Sequence, residues 1–264
     1  MNKKVCLIQQ SCGLGDVLFT IKIGRHFASQ GYRVIWPVEP AYKNINEFID
    51  VSNQIEFYNI LDDFPYKGQY GNFFTFKFSE IEEIGDITYV PLNRAFYSDA
   101  AQMSLPSFKH EAANMFGKYL MCGLDHDQWQ ESFAVKRSPS RESALFTELG
   151  LSSEDKIHLV NNKFGSPPKY LTSLRKKIHT PAGYKRVEMS LLPGFNVTDW
   201  LDIIEESKKI DTVATSIVFL FEKINLSCVP TIHSRNKSPG ANHSAEDDFK
   251  LMSKIYSKNY NYER

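Results

Sequence analysis

The sequence predicts an α/β protein built from two consecutive halves in which strands and helices alternate. Three observations predict it. An apolar run, a glycine turn and a helix-period segment open the chain; a second strand follows that helix; and the same rhythm restarts beyond a polar, proline-containing stretch near residues 125–140. The 264 residues suffice for two small domains, and 42% hydrophobic content gives each a core.

In the first half, Val5, Leu7 and Ile8 read as a short buried strand. Gly13 and Gly15 follow in Gly-Leu-Gly-Asp, admitting backbone angles or close approaches that a Cβ obstructs. Asp16 stands where a helix begins, a place suited to a capping side chain. Leu18, Ile21 and the turn at 25–28 carry that helix to about Gly31. The turn is not a dinucleotide fingerprint, because the third glycine of G-x-G-x-x-G falls on Leu18, and no Gly-Lys-Ser/Thr follows to make a Walker loop. What remains is a glycine-lined crevice with one carboxylate at its mouth, beyond a strand's carboxyl end where open α/β sheets bind ligands. Arg33–Val38 reads as the second strand, ended by Pro37 and Pro40. A short helix over 45–51 and strands over 55–60, 73–78 and 86–90 come next. A helix over 109–124 runs through Ala112, Met115, Phe116, Tyr119 and Leu120 and stops at Gly123.

The polar stretch places a linker at 125–139 between domains 1–124 and 140–264. The second half then reads as a helix over 140–149, a strand over 156–161 and a turn-rich loop containing Asn162, Lys163, Gly165 and Ser166. A strand over 186–192, a helix over 199–207, a strand over 212–214, a helix over 215–224 and a strand over 228–233 follow, and a helix over 245–256 closes the pattern. There is no internal sequence repeat.

Lysine plus arginine and aspartate plus glutamate each total 31, so no overall field draws the chain to nucleic acid, and any phosphate recognition is local. Cys6, Cys12, Cys122 and Cys228 show no C-x-x-C spacing and read as free thiols in a reducing compartment. No signal segment and no membrane-length apolar run are visible, so the expected location is cytoplasmic, with room only for peripheral membrane contact. The seven histidines show no metal-ligand spacing. Asp125-His126-Asp127 has the form of a metal-binding carboxylate pair, but it trails a helix into the linker and reads as solvated.

Four patches, in order, resemble a known family. They are Gly13 to Leu18 with Thr20; His110 and Glu111 through Tyr119, Leu120, Gly123 and Leu124; Leu192, Gly194, Thr198 and the helix from Asp199; and Ala214-Thr215-Ser216 with Leu220. Together they are similar to the GT-B glycosyltransferases, most closely the heptosyltransferase-like family. The resemblance implies two Rossmann-like domains facing across a cleft, the first on the acceptor side and the second holding the nucleotide sugar. It implies sugar transfer from a nucleotide-diphosphate donor to a glycan hydroxyl, inverting and without a metal or other cofactor. Asp16 then falls at the general base, and Gly13, Gly15, Asn162, Lys163, Gly165, Ser166, Leu192, Gly194, Thr215 and Ser216 at the binding loops. Ala214 and Phe219 depart from the family pattern, which has an Asp-Thr-Gly loop followed by a histidine. Two other readings stand beside it: a non-catalytic nucleotide- or glycan-binding module, and a Rossmann sugar-nucleotide-modifying enzyme, the latter disfavoured by the missing third glycine and the lack of a Tyr-x-x-x-Lys pair. Asp16 as helix cap and Asp16 as base make opposite forecasts for Asp16→Asn, since asparagine caps as well as aspartate does.

Overall fold

The computed structural model describes residues 4–42, 44–51, 53–70, 78–104, 111–164, 172–173, 177–190, 192–234 and 253–263. The chain divides into two compact units, Met1–Ala134 and Val135–Arg264. Each is a Rossmann-like α/β unit around a five-stranded sheet.

In the first unit β1 is Val5–Ile8, β2 Arg33–Val38, β3 Ile55–Asn59, β4 Glu82–Ile84 and β5 Ile87–Val90, arranged β3-β2-β1-β5-β4. Every pairing is parallel except β4 with β5. The central strand β1 is buried along its whole length, which is why it reads as a continuous apolar run and not as an alternating one. Helix α1, Leu14–Ser29, brings Gly24 against the sheet, where an added Cβ would stand 3.1 Å from the Trp36 ring and 3.2 Å from Ile55 Cδ1.

Pro37 does not end β2; the strand runs through it to Val38. The Arg33 N–H donates to Lys4 and the Val34 N–H to Gln54, so odd-numbered N–H groups face β1 and even-numbered ones face β3. β1 pairs only as far as Ile35, so the missing N–H of Pro37 falls past the end of that ladder. The helix expected over 45–51 is one turn, Ile45–Phe48. Most of the strand expected over 73–78 lies outside the described residues, and β4 was not foreseen because its three residues are all exposed and carry no apolar alternation. A short helix α2, Asp99–Ser104, precedes α3, Glu111–Met121. Gly123 stops α3 as expected, at φ 65°, with the Leu124 N–H returning to the Tyr119 carbonyl.

In the second unit β6 is Ile157–Asn161, β7 Lys185–Glu188, β8 Lys209–Val213, β9 Thr231–His233 and β10 Asn261–Glu263, all parallel in the order β7-β6-β8-β9-β10. Helices α4, Pro139–Glu148, α5, Leu201–Glu206, and α6, Ser216–Phe221, belong to this unit. The strand expected over 186–192 ends at Glu188, the helix expected over 215–224 has six residues, and the strand expected over 228–233 has three. Residues 245–252 of the expected last helix lie outside the described residues. β10 is an addition to the sequence reading.

Both sheets reverse strand order beside their first strand, at β1/β5 and at β6/β8, and in open α/β sheets the crevice beyond such a reversal is where ligands bind. The close seat of α1 makes one test of the packing direct. Gly24→Val should cost about 1–3 kcal/mol through overpacking against Trp36 and Ile55, read as a lower urea midpoint.

Candidate functional site

At the first reversal the Gln9 N–H donates to the Val90 carbonyl and the Asn93 N–H to the Gln9 carbonyl, joining the exits of β1 and β5. Gln9, Gln10 and Ser11 are buried there, and Gln9 Oε1, Gln10 Oε1 and Ser11 Oγ have no hydrogen-bond partner among the described residues. The chain then turns at Gly13, whose φ of 75° favours glycine. The space also requires glycine, since a Cβ at Gly13 would lie 2.5 Å from Asp16 Oδ2.

Gly13 is the N-cap of α1, so Asp16, the third residue of the helix, is not the cap. Gly15 is buried in the same first turn. The Asp16 carboxylate accepts a hydrogen bond from Lys118 Nζ on α3, and this contact corrects the expectation that capping competes with catalysis for the residue. The Lys118 side chain is fully buried, whereas that of Asp16 is 36% exposed. One charge is therefore withdrawn from water and the other stands at the surface to meet it. The surrounding helix interface is aromatic: Phe19 meets Tyr119 edge-on at 5.0 Å and Trp129 at 5.5 Å, and the Tyr119 hydroxyl donates to the Phe19 carbonyl. Cys12, beside the turn, is pushed up to about 12 by burial and then by Glu39, so it is a neutral thiol and no nucleophile.

Lys118 escaped the sequence reading because a lysine in an amphipathic helix is expected to face water. Its signal was position: it lies between Phe116 and Tyr119, on a helix whose described residues from Phe116 to Tyr119 are all buried. The Asp125-His126-Asp127 segment is held by Lys22, whose Nζ donates to Asp125 Oδ1 at 2.9 Å and to the Asp127 carbonyl at 2.7 Å. His126 packs edge-on against Phe116 at 4.6 Å.

At the second reversal Asn161, the last residue of β6, donates through Nδ2 to Thr212 Oγ1 at 3.0 Å and to Thr215 Oγ1 at 3.1 Å. Asn161 makes this junction, and its expected neighbour Asn162 does not take part in these bonds. Lys163 is exposed and sits in a two-residue antiparallel ladder opposite Ser173. Gly165 and Ser166 lie outside the described residues. Leu192 is partly buried, and Gly194, at φ 84°, is fastened from α4: Arg141 donates to the Gly194 carbonyl at 2.7 Å and grips Asp199 with two bonds at 3.0 and 2.7 Å. Asn196 and Asp199 form a capping box at the start of the following helical turn. Thr215 is the N-cap of α6 and Ser216 its first residue, both partly exposed. With six residues α6 carries less of a dipole than a full helix over 215–224. Phe219 is buried edge-on against Tyr256 at 5.3 Å, a core position.

The second sheet also holds a polar network that linear spacing could not reveal. Asp211 Oδ2 receives His158 Nε2 at 2.7 Å, and Asp211 Oδ1 receives His233 Nε2 at 2.8 Å. Lys209 Nζ stands 3.0 Å from Asp211 Oδ2, and His158 Nδ1 meets Thr180 Oγ1 at 2.9 Å. Burial opposes the Asp211 charge, but the bonds from His233, Lys209 and His158 outweigh it and hold the carboxyl well below its ordinary range. Burial lowers His158, against the smaller pull of Asp211.

No protein-family model matches the chain, and no curated protein sequence does. Among solved structures it resembles a glycosyl transferase family 9 protein from Veillonella parvula DSM 2008, at 10% identity and a TM-score of 0.46, over 98% of this chain and 93% of that one. It also resembles the bacterial iron-containing dodecameric glycosyltransferase TibC from enterotoxigenic E. coli H10407, at 12% identity and a TM-score of 0.48, over 95% of this chain and 68% of that one. Likeness at this level assigns no activity.

Two outcomes follow from the charges. Asp16→Asn leaves the Lys118 ammonium buried without its counter-charge and should cost roughly 1–3 kcal/mol, the usual cost of breaking a buried pair reduced because Asp16 is partly in water. Adding Lys118→Met should restore most of that loss in denaturant unfolding. His158, lowered in the fold, contributes stability that is present above its unfolded pKa of about 6.5 and is lost as pH falls from there toward its folded value. Unfolding free energy should therefore decline on acidification from pH 7.5 to 5, and His158→Gln should make that decline shallower. An unchanged slope counts against a neutral buried His158.

Proposed function

We propose that the chain is a glycosyltransferase that moves a sugar from a nucleotide-diphosphate donor to a hydroxyl of a glycan acceptor, in the cytoplasm, by an inverting displacement that needs no metal. The observation that carries the reading is the placement of Asp16. It is a partly exposed carboxylate on a rigid helix turn, at the exit of the first sheet's central strand, with its rotamer set by Lys118 and its space set by Gly13. The ordered patches of family resemblance support the same reading.

In this proposal the acceptor lies over the Gly13–Asp16 turn and its hydroxyl donates to Asp16 Oδ2, while Oδ1 stays with Lys118. A carboxylate with an ordinary pKa of about 4 does not deprotonate a resting alcohol. It accepts the proton as the hydroxyl oxygen bonds to the anomeric carbon and the diphosphate departs. Lys118 keeps the carboxylate oriented before the step, serving as a positioning residue. The donor is assigned to the carboxyl edge of the second sheet, at the Asn161, Thr212 and Thr215 junction, with Ser216, Asn162, Lys163, Leu192 and Gly194 on the loops beyond their strands. Gly165 and Ser166 complete that assignment from the sequence. The partly exposed Thr215 hydroxyl, which accepts from Asn161, remains able to donate to a phosphate oxygen at a strand-order reversal.

Phe219 favours a second reading. The family's polar position is here filled by a packed aromatic, which suits a module that binds a nucleotide or glycan without turnover.

Nucleotide-sugar turnover separates the two readings. The transferase should consume one donor of a panel with chelator present, and thermal shifts with UDP, GDP, ADP and CMP should single out its nucleotide. The Asp16→Asn/Lys118→Met chain should fold and bind nucleotide yet transfer at least ~10²-fold more slowly, whereas Lys118→Met alone, which keeps the base but loses its positioning, should slow transfer by less. Near-wild-type transfer by the double variant removes Asp16 from the mechanism. Ser216→Asp should weaken nucleotide binding by about 1 kcal/mol or more through charge repulsion, and unchanged affinity by calorimetry counts against the donor placement.

A further inference from the structure

The last residues of β9 and β10, His233 and Glu263, stand side by side in register at one corner of the second sheet. His233 is 3% exposed. Its Nε2 bonds to Asp211 Oδ1, and Asp211 also receives His158 and Lys209, so the carboxylate is surrounded by donors and acts as an acceptor. That fixes the ring hydrogen on Nε2 and leaves Nδ1 with its lone pair in the neutral imidazole. Nδ1 is sealed from solvent, makes no hydrogen bond among the described residues, and lies 3.3 Å from Glu263 Oε2. A lone pair and a carboxylate oxygen at that separation repel unless a cation is shared between them.

The spacing suits a metal ion. Two ligands ~2.0–2.1 Å from a tetrahedral centre are ~3.3–3.4 Å apart. The Asp211 carboxylate on the far ring nitrogen completes the pattern of carboxylate, histidine and metal in which the outer carboxylate fixes the tautomer and strengthens the ligand. One donor atom from each of Asp211, His233 and Glu263 falls within 4.8 Å of the others. Glu263 is half exposed, so its carboxylate is in contact with water. We infer that His233 Nδ1 and the Glu263 carboxylate bind a divalent transition-metal ion of the zinc and cobalt class, with Asp211 orienting His233 from behind. Imidazole with carboxylate favours these ions over magnesium or calcium, and two protein ligands make the site a moderate binder. β9 lies on the side of β8 away from β6, so the ion is one strand removed from the β6/β8 reversal and is independent of the transfer reaction proposed above.

The test uses the full chain, free of any tag and dialysed against chelator, titrated with Zn²⁺ by calorimetry and with Co²⁺ by visible absorption. One equivalent should saturate, and the His233 ring resonances should shift on Zn²⁺ addition. Glu263→Gln should weaken binding at least tenfold, with its metal-free melting temperature close to wild type. No saturable binding, equal binding by Glu263→Gln, or His233 resonances that do not move would overturn the site. Each of those results would leave a proton as the cation between His233 and Glu263. The resonance shift is read on the unaltered chain, so it decides the matter even where a substitution disturbs folding.

Discussion

A buried ammonium needs a counter-charge close by, and much of the first unit is arranged around giving Lys118 that partner. The carboxylate comes from Asp16, 102 residues away in sequence, so the pair forms only when α1 and α3 are packed together. Packing in turn relies on Phe19, Tyr119 and Trp129, whose edge-on contacts leave the two helices little freedom to slide. Gly13 is demanded by the same arrangement, because the position of the carboxylate leaves no space for a side chain on the turn below it. A partly exposed carboxylate, a helix interface and a glycine are thus one constraint seen from three sides.

The second unit solves a different problem. Among its described residues, charged side chains tie several segments to regular elements. Arg141 fastens the Gly194 loop and Asp199 to α4, and Arg137 reaches Glu142 and Glu205 to bind α4 to α5. Glu222, at the end of α6, collects the Ser257 backbone and hydroxyl and the Tyr260 hydroxyl. Glu222 thereby anchors the far end of α6, whose N-cap Thr215 bonds to Asn161 at the end of β6.

The sequence made β1, α1, β2 and β6 legible because each is a local pattern: apolar runs of strand length, a glycine turn, a helix period. It also made the stop at Gly123 legible, since glycine past a helical run has few other meanings. It did not show β4 or β10, which are short, polar and exposed strands recognisable only by their neighbours. Pro37 was misread because its effect depends on which side of the strand its nitrogen faces. Asp16 stood out through its glycines, but its partner did not, since nothing local distinguishes a buried lysine from a solvated one. His158, Asp211 and His233 were invisible for a stronger reason. They stand 53 and 22 residues apart on three different strands, and only the parallel register of those strands assembles them.

β10 carries a practical consequence. It is the outermost strand of its sheet among the described residues, and the Asn261 and Ser234 N–H groups link it to β9 through the Pro230 and Glu263 carbonyls. Its three residues therefore act as a cover for the backbone of β9. A protease nick or a trimmed expression clone that removed them would bare an unpaired strand rim, the kind of surface on which chains stack into aggregates. Keeping β10 in place therefore bears on the protein's solution behaviour as well as on its fold.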